Sequence, residues 1–199
     1  AVIGLKNAGI YTDAIGLFRR VVYNVLSAHT TTGFGSIYAR QFALEWGGLG
    51  ITVMVIAMLI GGSACSTAGG IKGLRVGIIF KGIVADIKKL VSGENSVKVV
   101  KYHHIKDLVL DDATFRSSAA IAILYIVLFA GGVLLSTAYG YPMAESAFEV
   151  ASVSGNVGLS LGIISANMPT AMKWYYMMAM YLGRLEFISV LALIGLMFK

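Results

Sequence analysis

Charge is what this sequence has least of. Only 13% of its 199 residues are Asp, Glu, Lys or Arg, 57% are apolar, and the mean hydropathy is +0.80. Soluble domains carry about 25% charged residues, so a water-soluble globule is set aside and an integral membrane protein is expected. Cysteine is nearly missing as well: Cys65 alone excludes an internal disulfide. His103 and His104 have no further ligands near them in sequence, which argues against a metal site there. A phosphate cradle is lacking too. The glycine-rich run at 61–72 breaks the Gly-x4-Gly-Lys-Ser/Thr pattern, because Gly70 is followed by Ile71, Lys72 and Gly73. Ser63 and Ser66 have no His placed as general base, so no enzyme and no cofactor are expected. There is no signal peptide, and the chain opens on Ala1 rather than Met, which reads as a fragment lacking its N-terminal part.

The charge that is present leans positive, +6, and nine of the sixteen Lys and Arg fall between Lys72 and Arg116. Basic residues beside apolar segments orient a membrane protein, with the cytoplasmic side keeping them. Nucleic acid is therefore not an expected partner. The polar stretch 91–114 is expected to be a cytoplasmic linker.

Around it, apolar segments alternate with glycine turns. Asp13 is a candidate N-cap for a short amphipathic helix over 13–27, with Ile15, Leu17, Phe18, Val21, Val22, Val25 and Leu26 as its apolar face. At about 15 residues, or about 22 Å, it is too short to span a bilayer comfortably. It runs into Thr31-Thr32-Gly33-Phe34-Gly35, the outline of a re-entrant hairpin. An apolar helix over 44–60 follows, with Trp46 as an interfacial anchor. It breaks at 61–72 and resumes at 74–90, one discontinuous transmembrane helix with a loop in its middle. Residues 117–138 contain no charge and form the clearest span. Pro142 opens a second short helix, 143–152, that meets Gly155-Asn156-Val157-Gly158-Leu159-Ser160. A last span covers 170–199.

The order short helix, glycine turn, long helix occurs twice. An offset of 125 residues pairs Ser27 with Ser152, Thr31 with Asn156 and Gly33 with Gly158. Residues 1–90 thus read as one pore repeat and 115–199 as another. Irregular, glycine-centred backbone at membrane depth is tolerated only where it is buried or lines a cavity or ion path. A cation losing its water needs oxygen dipoles in exchange. Gly33 and Gly158 permit backbone conformations that a β-carbon would resist, and neither turn holds a carboxylate, which argues against a tight divalent site. The half-helices point negative dipole ends at the turns. A monovalent cation is favoured.

Thr-Thr-Gly-Phe-Gly resembles the potassium-channel filter Thr-Val-Gly-Tyr-Gly. The loop Gly-Gly-Ser-Ala-Cys-Ser-Thr-Ala-Gly-Gly-Ile-Lys at 61–72, with Met-Tyr-Leu-Gly-Arg at 180–184, is similar to the intramembrane loop and last pore helix of the Trk/Ktr potassium-uptake family. The resemblance implies an all-α integral membrane fold of M1-P-M2 pore-loop repeats, here the third and fourth of four. It implies a homodimer in the cell membrane, a cytoplasmic linker and C-terminus, and a cytosolic ring of nucleotide-binding regulatory subunits. By carry-over, Thr31, Thr32, Gly33, Phe34, Asn156, Val157, Gly158 and Leu159 line a potassium filter. Gly61, Gly62, Ser63, Ser66, Thr67, Gly69, Gly70 and Lys72 form a gate below it, with Arg184 facing the pore or the gate loop. The fourth turn departs from the pattern in lacking Thr. Glu145 and Glu149 share a helix face and read equally as attracting cations to the outer mouth or as simple solvated helix charges. Channel-like flux and sodium- or proton-coupled symport both stay open, as do another broken-helix cation transporter and a non-conducting membrane scaffold.

Overall fold

A computed structural model describes residues 13–37, 45–63, 66–91, 101–104, 106–185 and 187–197. Asp13 caps helix α1 (Ala14–His29) as its position suggests, its carboxylate accepting from the Ile15 and Gly16 amides at 3.1 and 3.0 Å. The buried stripe of α1 is narrower than expected. Leu17, Val21, Asn24 and Ala28 turn inward, while Ile15, Phe18 and Leu26 are exposed.

Helix α2 (Gly47–Leu59) is apolar on every side, and Met54 and Met58 are fully buried. Trp46 is not an interfacial anchor. It is 3% exposed and folds back on Gly50, where a β-carbon would come within 2.7 Å of its own. Two residues, β1 (Ile60–Gly61), then pair in parallel with β2 (Ile71–Lys72), Ile60 opposite Ile71 and Gly61 opposite Lys72. This clasp closes the base of the glycine-rich loop before helix α3 (Gly73–Val91) begins. Within the expected linker, β3 (Lys101–His104) and β4 (Lys106–Val109) form an antiparallel hairpin. The described residues are therefore mostly helical with two small strand pairs, rather than all-α.

Helix α4 (Asp112–Ala138) starts before the uncharged run at 117–138. Its 27 residues make it the one helix, among the described residues, long and apolar enough to cross a membrane. Helix α5 (Met143–Ser154) lies against α2, α4 and α6, and every residue from Phe148 to Ser154 is buried. Small side chains make this approach possible: Gly132 on α4 leaves room for Val150, and Ser146, Ala151, Ser152 and Ser154 occupy little space. Helix α6 (Thr170–Leu185) is tied to α4 by Tyr175, whose hydroxyl donates to the Leu128 carbonyl at 2.5 Å, and by Tyr176, 3.0 Å from the Ser136 hydroxyl. Helix α7 (Phe187–Met197) sets Phe187 edge-on to Tyr125, ring centroids 6.3 Å apart. The expected last span corresponds to α6 and α7. Glu186 between them and Cys65 in the loop lie outside the described residues.

Candidate functional site

Helices α1 and α5 end in the same backbone pattern. In the first, the amides of Thr30, Thr31 and Thr32 donate to the carbonyls of Leu26, Ala28 and Ser27 at 2.8, 3.2 and 2.9 Å. In the second, those of Gly155, Asn156 and Val157 donate to Ala151, Val153 and Ser152 at 2.8, 3.1 and 2.9 Å. Each donor and each acceptor sits 125 residues from its counterpart. The dihedral angles agree as well: φ is +56° at Thr31 and +55° at Asn156, +80° at Gly33 and +94° at Gly158. Thr31 and Asn156 are the two non-glycine residues with positive φ among the described residues. Such a conformation costs an L-residue about 1–2 kcal/mol, so its recurrence at one register marks imposed geometry and not drift.

The turns meet. A β-carbon on Gly33 would lie 1.9 Å from the Val157 carbonyl oxygen, so the first turn presses bare backbone against the second. Gly158, by contrast, has open space where its β-carbon would stand. Phe34 is largely exposed, Val157 is buried and Leu159 is half-buried. A cavity of about 210 Å³ opens beside the second turn, lined by Ser152, Val153, Asn156, Val157, Gly158 and Met180.

Behind the turns sit two residues that sequence reasoning passed over or misjudged. Asn24 is fully buried. Its amide nitrogen donates to the Arg20 carbonyl and the Ser36 hydroxyl, both at 2.8 Å, and its oxygen accepts the Ser36 amide at 3.2 Å. Glu149 is not a cation attractant at an outer mouth. It is fully buried, and one oxygen accepts from the Ser160 hydroxyl at 2.6 Å and the amides of Leu161, Gly162 and Ile163 at 2.7, 3.1 and 3.2 Å. Its other oxygen, Oε2, has no hydrogen-bond partner among the described residues. The signal that could have found both is the offset itself, since 24 and 149 stand 125 apart.

The glycine-rich loop packs directly under the second turn. A β-carbon on Gly69 would come within 2.5 Å of the Gly155 carbonyl oxygen and 3.1 Å of the Asn156 side-chain nitrogen. That same nitrogen donates to the Met180 carbonyl at 3.1 Å. Gly183 on α6 leaves no more room, its β-carbon falling 1.9 Å from the Ser154 carbonyl oxygen. Gly61 faces the Gly69 carbonyl in like fashion, and Gly70 turns the chain at φ +81°. Ser66 bonds locally: its amide and hydroxyl both donate to the Ser63 carbonyl, at 3.0 and 2.7 Å, and its hydroxyl accepts the Ala68 amide at 3.4 Å. Gly62 accepts the Gly73 amide at 3.2 Å, and Lys72 is half-buried in β2. Arg184, in the last turn of α6, donates through Nη1 to the Thr67 carbonyl.

Residues 16–197 match the TrkH family, described as cation transport protein, and the chain belongs to that family. It is 31% identical over 177 residues to an uncharacterized cation transporter of Methanocaldococcus jannaschii, covering 89% of this chain and 36% of that protein. It is 29% identical to the Trk system potassium uptake protein TrkI of Halomonas elongata, covering 94% of this chain and 38% of the relative. The fold is that of the potassium transporter TrkH from Vibrio parahaemolyticus, with a TM-score of 0.78 at 24% identity over 96% of this chain and 40% of that one. The chain thus spans well under half the length of the relatives it matches. Those relatives are named as transporters, not enzymes.

Proposed function

We propose that the protein carries potassium across a cell membrane, and that the turns at Thr31–Phe34 and Asn156–Leu159 are two sides of its selectivity filter. The observation that carries this reading is the pair of matched turns, left-handed at the same two positions and in contact at Gly33 and Val157. A sign of φ that alternates from residue to residue turns over every second peptide plane, which is how successive carbonyls come to face one side of a chain. Four such carbonyls from each turn would replace part of a potassium ion's hydration shell. The turns hold no carboxylate, in keeping with a monovalent ion. Two turns do not enclose a pore, so the rest of the ring comes from further repeats of the subunit or from another chain, arranged as M1-P-M2 units with α2 and α3 as one broken membrane helix.

In this reading the loop from Gly61 to Lys72 is the gate. Its support is the approach of Gly69 to Gly155 and the link from Arg184 to Thr67. A homodimer, a cytosolic nucleotide-binding regulatory ring, and a cytoplasmic side for 91–114 and for the C-terminus complete the proposal. The test is growth of potassium-uptake-deficient cells at low potassium, with the whole gene product supplied. Restored growth, with potassium-over-sodium preference relaxed by Gly158→Ser, is the expected outcome. Failure to restore growth in a correctly inserted protein would overturn the reading.

A further inference from the structure

Both half-helices carry a buried polar residue aimed at the backbone that leaves the turn, and the two occupy one register. Asn24 accepts the amide of Ser36 and Glu149 the amide of Leu161, each three residues beyond the left-handed glycine. We propose that Asn24 and Glu149 are positioning residues that set ion selectivity by fixing how the chain exits each turn. This rests on the filter reading above.

Three considerations carry it. The first is burial: neither side chain has exposed surface, so neither is placed to meet an ion in water. The second is economy of donors. Four groups in consecutive residues, 160 to 163, converge on one carboxylate oxygen. Such a cluster freezes a segment that has no helix or strand bonds of its own, Gly162 included at φ +103°. The third is leverage. Selection between ions of one charge depends on carbonyl positions held to fractions of an ångström, and a turn anchored only at its helix end could relax around the smaller ion. The brace supplies the second anchor.

The two braces are unequal. Asn24 holds the exit by one amide and one hydroxyl; Glu149 holds it by three amides and one hydroxyl, with bonds as short as 2.6 Å. The fourth-repeat turn, which has no threonine hydroxyl to offer, has the stronger support.

The experiment measures potassium and sodium uptake by the whole protein in vesicles, normalised to the protein inserted. Glu149→Ala is expected to lower the potassium-over-sodium ratio about tenfold, the effect of roughly one charge-assisted hydrogen bond on an equilibrium. Glu149→Gln keeps an acceptor at the Oε1 position and should recover part of that ratio, and Asn24→Ala should lower it by less. A merely structural role would reduce the amount of protein and leave the ratio untouched. Wild-type ratios in Glu149→Ala and Asn24→Ala overturn the inference. Should Glu149→Ala fail to insert, unchanged ratios in Glu149→Gln and Asn24→Ala overturn it equally. A wild-type protein that moves no potassium overturns the filter reading instead.

Discussion

The unit built on α1 and the unit built on α5 share a backbone and differ in almost everything laid upon it. The first turn is threonine-rich, with Phe34 largely exposed, and α1 itself buries only a thin stripe. The second is encased: α5 is buried from Phe148 to its end, and its turn is pressed by Gly69 on one side and Gly183 on another. The lesson concerns where constraint comes from. Matched hydrogen bonds and matched φ angles give both turns one shape, but the surroundings hold them at different points: the first at Gly33, against the Val157 carbonyl, and the second at Gly155 and Asn156, against the loop and α6. Part of what presses on the second turn is the loop, so any movement of the loop is felt there first.

The sharpest way to break the comparison is at the two central glycines. Gly33 needs both its left-handed φ and its missing side chain, because a β-carbon would stand 1.9 Å from the Val157 oxygen. Gly158 needs only the first, since nothing lies within 4 Å. Gly33→Ala adds overpacking to the backbone strain, together about 4 kcal/mol, and should cut potassium uptake by ~100-fold or prevent insertion. Gly158→Ala pays the strain alone, about 1–2 kcal/mol, and should insert while losing ion preference. Uptake assays with quantified membrane protein check both. Equal damage at the two positions would show that the turns do not differ in their surroundings.

How much of this was legible beforehand follows from what each signal depends on. The two short helices were readable because caps and periodicity are local: Asp13 closes α1 as its position in sequence suggests. The turns were readable because glycine, and asparagine at 156, mark unusual φ, although the positive φ of Thr31 leaves no composition cue. Trp46 was misplaced because an aromatic near the end of an apolar segment looks the same whether it meets lipid or folds onto Gly50. Glu149 was misplaced for a like reason. Sequence gives its helix face, but its four donors come from residues 160–163, beyond the turn. The clasp between Ile60 and Ile71 is two residues long and has no periodicity to detect.

Removing the tie between α6 and the loop sharpens the comparison from the side of the second turn. Arg184→Gln loses the charged donor to the Thr67 carbonyl. A hydrogen bond from a charged group contributes about 1.5–3 kcal/mol, so the loop's packed position should lose at least part of that stabilisation. If this position obstructs ions, uptake rises, by about fivefold, with ion preference kept. Tracer uptake at fixed membrane protein reads it directly, and a fall in uptake would mean that the tie holds the path open.

The smallest expected effect separates the two strained non-glycine residues. Thr31 is β-branched and poorly suited to φ +56°, so Thr31→Gly relieves about 1–2 kcal/mol of strain and costs about 0.5–1 kcal/mol of unfolded-state entropy. The balance is a protein more stable by about 0.5–1 kcal/mol. Asn tolerates the left-handed region better, and Asn156 also donates to the Met180 carbonyl at 3.1 Å. Asn156→Gly therefore gains little strain relief, pays the same entropy, and loses a bond of about 1 kcal/mol. Thermal unfolding in detergent should move up for the first variant and down for the second. An upward shift in both would mean that the link from Asn156 to α6 contributes nothing.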